Sequence, residues 1–144
     1  MKRIIITLAA ILMAIPAFAQ LNVTRKTDNK QIGTVRTGII RVFQSSSGFA
    51  MALTTDNQFD EAQVFFLGAD KDSAKATLDD MVALIDEGSE ETTEVDTGTG
   101  KCLLKVTKQL GVKILSFSFY GAAGTQSMSK GELTKVKGIV EKAK

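Results

Sequence analysis

The stretch Lys101–Tyr120, KCLLKVTKQLGVKILSFSFY, decides the fold. In its first half Cys102, Leu104 and Val106 fall on one side of an extended chain. In its second half Leu115, Phe117 and Phe119 alternate with Ser116 and Ser118. Successive strand side chains point to opposite faces, so each half predicts a strand with one apolar face and one that can be wet. Leu110-Gly111 between them predicts the turn that joins the pair.

Upstream, the runs Gly38–Phe43, Phe49–Thr55 and Ala62–Leu67 are apolar and β-rich, and the turn-forming segments Ser45–Gly48 and Thr55–Gln58 separate them. They predict three further strands. Asp70 or Asp72 then caps a helix whose apolar residues Ala74, Leu78, Met81, Val82 and Ile85 recur every three or four positions, and Gly88 ends it. The acidic stretch Glu90–Asp96 leads into Thr97-Gly98-Thr99-Gly100, a hairpin turn rather than a phosphate loop. A last helix begins near Ser129, where Ser129 and Glu132 form an S-x-x-E capping box. It carries Leu133, Val136, Ile139 and Val140 on one side, and Lys142 and Lys144 suit the negative end of its dipole.

The two halves share an order: three strands, a Phe66-Leu67-Gly68-Ala69 or Phe119-Tyr120-Gly121-Ala122 step, then a helix. Leu78, Met81, Leu84 and Ile85 of the first helix match Leu133, Val136, Ile139 and Val140 of the second. The expected fold is α+β, built from two strand-strand-strand-helix units as an internal duplication, with antiparallel sheets packed on two helices. Residues 37–144 form one domain, its repeat units 37–88 and 89–144, and residues 20–36 an extended arm or edge strand. This order of elements resembles the duplicated plan of the Whirly and PUR families, which bind single-stranded nucleic acid. No motif of those families is matched, and no binding residue is carried over.

Ahead of the domain, Met1-Lys2-Arg3 precedes an apolar run, Ile4–Ile15, and Ala17-Phe18-Ala19 stands before Gln20. A charged start, a short apolar core and small residues before a cut predict a signal peptide over residues 1–19. About a dozen apolar residues fall short of the ~20 that a membrane-spanning helix needs. The expectation is an exported protein, periplasmic or secreted, soluble after cleavage between Ala19 and Gln20.

Removing Lys2 and Arg3 leaves 16 basic and 16 acidic side chains, so net charge gives no reason to expect nucleic acid as partner. The layout is uneven. Residues 20–55 carry five basic and one acidic side chain, residues 56–100 two and thirteen, and residues 101–144 nine and two. Opposite charges are expected to meet within the fold or across a homodimer, the acidic first helix region (Asp70, Asp72, Asp79, Asp80, Asp86, Glu87) against the basic second helix. Cys102, the only cysteine, reads as a buried, inert thiol.

No histidine is present, which excludes Ser-His-Asp and Cys-His catalysis within this chain. Asp70, Asp72, Asp79, Asp80, Glu90 and Glu91 match neither an EF-hand loop nor another ligand set and read as structural. No catalytic residue, cofactor or metal is therefore assigned. The residues offered as a binding surface are Tyr120, Lys130, Lys135 and Lys137. The expected function is non-enzymatic binding or assembly, with a second copy or another exported protein as partner. The alternatives are a ligand-binding module for single-stranded nucleic acid, peptide or glycan, and a carboxylate-dependent hydrolase. A cleft with convergent carboxylates would favour the enzyme, and a large apolar patch the assembly.

Overall fold

The computed structural model describes residues 29–54, 61–122 and 124–144. The expected signal peptide and its cleavage site lie outside the described residues. Two four-stranded antiparallel sheets each lead into one helix. The first contains β1 (Lys30–Val35), β2 (Ile40–Ser45), β3 (Gly48–Leu53) and β4 (Gln63–Gly68), followed by α1 (Lys71–Glu87). The second contains β5 (Thr93–Asp96), β6 (Lys101–Gln109), β7 (Val112–Phe119) and β8 (Gln126–Ser129), followed by α2 (Lys130–Lys142). In both sheets the strands lie in chain order.

The class is α+β, as the alternation predicts, but each unit has four strands rather than three. Residues 30–35 supply the additional strand of the first sheet, at its edge. Gly33 interrupts the β signal there for a packing reason: a side-chain carbon at that position would lie 2.8 Å from Ile139 of α2. In the second unit β5 and β8 are the strands that the sequence conceals. Because β8, not β7, is the last strand before α2, the counterpart of β4 is β8. The matching of Phe66–Ala69 with Phe119–Ala122 is therefore corrected. The helices do correspond: Leu78, Met81 and Ile85, like Leu133, Val136 and Val140, are buried, and Leu84 and Ile139 are partly so.

Both helices start on reciprocal caps. Of the two aspartates offered for α1, Asp70 is the cap, its carboxylate accepting from the Ser73 N–H at 2.7 Å. At α2 the Ser129 Oγ accepts from the Glu132 N–H, while Glu132 accepts from the Ser129 N–H at 2.8 Å. Gly88, in the left-handed conformation, closes α1.

One core joins the units. The inner face of the first sheet (Ile40, Val42, Met51, Leu53, Phe65) and that of the second (Cys102, Leu104, Leu115, Phe117, Met128) meet the apolar sides of both helices. Phe65 and Phe117 touch edge to face at 5.9 Å across the two sheets. The helices cross units: α1 packs on β7 as well as on β3 and β4, and α2 on β1 and β2 as well as on β7 and β8. Cys102 is fully buried, and that burial pushes its thiol up to about 11. Among the described residues no helix is long and apolar enough to cross a membrane.

Candidate functional site

The two helices lie side by side, and α1 presents carboxylates on two of its sides. Asp79 and Asp86, seven residues apart, share a side because seven residues make nearly two turns. That side faces α2: Lys137 donates to Asp79 at 2.7 Å and Lys130 to Asp86 at 2.8 Å. Lys75 and Glu141 add a third interhelical pair at 3.6 Å. Asp80 and Glu87, each one residue further on, repeat the spacing on the other side of α1. Neither has a cationic partner among the described residues.

That second side of α1 borders a groove of about 470 Å³, whose other wall is the seam between the two sheets. Phe65 and Phe66 of β4, Met81 and Leu84 of α1, Val95 of β5 and Leu104 of β6 make it apolar. Among its described lining residues the charged ones are Asp80, Glu87 and Asp96. A smaller recess of about 160 Å³ continues it past Leu84 and Thr93 to Glu91, Val106 and Leu115, again without a cation.

The seam arises from the chain's own ends of sheet: β4 and β5 are outermost strands, and one backbone bond, from Phe66 N–H to the Thr97 carbonyl (2.9 Å), bridges them. The Thr97–Gly100 turn, closed by Thr97 N–H to the Gly100 carbonyl, reaches β4 because Gly98 has no side chain. A carbon there would stand 2.7 Å from the Phe66 Cβ.

No protein-family model, no curated protein and no solved structure matches this chain. The resemblance to the Whirly and PUR plan accordingly rests on element order alone, and the site is argued from its own residues.

Among the described residues no hydrogen bond joins Tyr120, Lys130, Lys135 and Lys137 to one another. Lys130 and Lys137 are engaged by α1. Lys135 is exposed and has no ion pair among the described residues. Tyr120 is 55% exposed, yet its hydroxyl donates to Glu94 at 2.6 Å, and Lys101 donates to the other carboxylate oxygen at 2.6 Å. The Lys101 hydrogen bond, then that of Tyr120, holds the Glu94 carboxyl below its ordinary value, and the bond to Glu94 raises the Tyr120 phenol. Of the six carboxylates weighed as a metal or acid/base set, Asp70 caps α1 and Asp79 pairs with Lys137. No group of three metal-ligating side chains occurs among the described residues.

The outer faces of the sheets differ. On the first, Arg41, Ala52 and Val64 form one cross-strand row and Phe43, Ala50 and Phe66 the next. They leave an apolar trough of about 290 Å³ floored by the two alanines. On the second, Leu103 pairs with Ser118, Lys105 with Ser116, and the Thr107 and Ser116 hydroxyls hydrogen-bond at 3.1 Å. The first outer face is thus the more apolar of the two, although Arg41 lies on it and Leu103 and Ile114 lie on the second.

Proposed function

We propose that this is an exported, non-enzymatic binding protein, and that the groove between α1 and the β4–β5 seam takes a ligand that is both apolar and cationic. One observation carries the reading: α1 pairs Asp79 and Asp86 with lysines of its own chain and leaves Asp80 and Glu87, on the rim of its apolar groove, without an ion pair among the described residues. An apolar concavity with a few oriented polar groups is the usual form of a ligand site. A ligand bringing ammonium or guanidinium groups supplies the missing partners.

Other readings have less support. The acidic rim repels nucleic acid, and the lysines proposed to attract it are largely taken up by α1. Export is supported by the charged, apolar and small-residue pattern of residues 1–19. A second copy, as assembly partner, would seat on the apolar trough of the first sheet.

Titration of the chain with a capped Lys-Leu-Lys-Leu-Lys peptide and with its Glu-Leu-Glu-Leu-Glu counterpart tests the groove. The basic peptide is expected to bind and the acidic one not. Asp80→Asn and Glu87→Gln should each weaken binding by about 2- to 5-fold at low salt. Equal affinity for the two peptides, or no effect of the double substitution, would refute the assignment.

A further inference from the structure

The β6–β7 hairpin is built against local preference at its tip. Its two-residue turn places Leu110 at φ 50° and Gly111 at φ 82°, the pattern in which Asn-Gly is favoured and a leucine's Cβ is crowded. Packing does not compensate: the Leu110 side chain is fully exposed, and Val112 beside it is 57% exposed. Lys108 lies directly opposite Lys113 in the register, a like-charge pair that opposes strand pairing. Lys105 follows on the outer face. No acidic residue occurs between Asp96 and Glu132, and Lys105, Lys108 and Lys113 have no ion pair among the described residues. Three unfavourable choices at one apex, on a strand pair otherwise patterned for stability, point to selection for something outside the fold.

We infer that this tip docks on an anionic lipid bilayer, with Leu110 and Val112 entering the interface and Lys105 and Lys108 meeting the headgroups, while Lys113 lies back along Gly88 at the end of α1. The chemistry is that of interfacial anchors: an apolar apex flanked by basic side chains, attracted by surface charge and held by apolar burial. A soluble polyanion would engage the lysines and give Leu110 nothing to enter, so the apex favours the lipid surface. Docking rests on the apex residues and not on a ligand in the acidic groove.

Co-sedimentation of the chain beginning at Gln20, which retains every described residue, with vesicles of mixed phosphatidylglycerol and phosphatidylcholine tests the inference. Binding is expected, falling with added salt, and little is expected to phosphatidylcholine alone. Leu110→Asn puts a preferred residue in the turn, so it should raise the thermal midpoint while weakening vesicle binding about ten-fold, the loss of one buried leucine. Lys105→Gln with Lys108→Gln should reduce binding and its salt dependence. Binding that is unchanged by Leu110→Asn, equal on both lipids, or absent from both overturns the proposal.

Discussion

Arg36 holds a backbone conformation that a side chain resists, and a contact from the other unit secures it. Arg36, Thr37 and Gly38 have successive positive φ values of 52°, 52° and 89° in the turn from β1 to β2. The guanidinium donates through two nitrogens to the two oxygens of Glu132 in the first turn of α2, and also to the Ser127 carbonyl at 2.8 Å. Partial burial alone would raise the Glu132 carboxyl. The Arg36 hydrogen bonds, with the Ser129 N–H, outweigh it and hold the group below its ordinary value of 4.5. A depressed carboxylate contributes stability above its unfolded-state value and loses it as pH falls through the folded one, so this contribution fades below about pH 4.5. Glu132→Gln keeps the cap and removes the charge. It should cost about 1 kcal/mol at neutral pH, because the exposed guanidinium is screened, and less below pH 4. Urea melts at pH 7 and pH 3 check this, and an equal cost at both would remove the ion pair from the explanation.

The elements that repeat a period long enough were legible in the sequence. Lys101–Gln109 is a strand with the expected bounds, Cys102, Leu104 and Val106 are buried together, and both helices bury the anticipated residues except Val82 and Ile139, which are partly buried. The strands β5 and β8 were not legible because each is four residues long and only one of its two inward positions is apolar, half-buried Val95 beside Thr93 or buried Met128 beside Gln126, and one apolar residue makes no alternation. The acidic groove was half legible. The charge excess of residues 56–100 is plain, but which carboxylates are satisfied depends on which side of α1 receives α2, a tertiary fact. Strand period also gives a sharp test. Phe117 is fully buried against Phe65, and Ser116 sits on the polar outer face beside Thr107. Phe117→Ala should cost roughly 3–5 kcal/mol and Ser116→Ala under about 1 kcal/mol by urea melts. Similar costs would show that the face assignment of β7 is wrong.

At the scale of the molecule, charge complementarity between the halves works inside one chain. The sequence leaves two arrangements open: helices side by side, satisfying their charges internally, or on opposite sides, pairing between copies. The contacts Asp79–Lys137, Asp86–Lys130 and Lys75–Glu141 place the protein in the first. Three charge pairs between the helices are thus made within one chain. The trough of Phe43, Ala50, Ala52 and Val64, bordered by Arg41, offers a different attraction on the outer face of the first sheet, with the opposite response to salt. Ion pairs weaken as the screening length falls from about 30 Å at 0.01 M to about 3 Å at 1 M, whereas apolar contacts are not screened and strengthen in salts such as sulfate. Sedimentation should therefore show a monomer at low salt, with any self-association growing as sulfate is added and abolished by Ala52→Asp. A dimer at 0.01 M that dissociates at 1 M would return the interface to the charged helices.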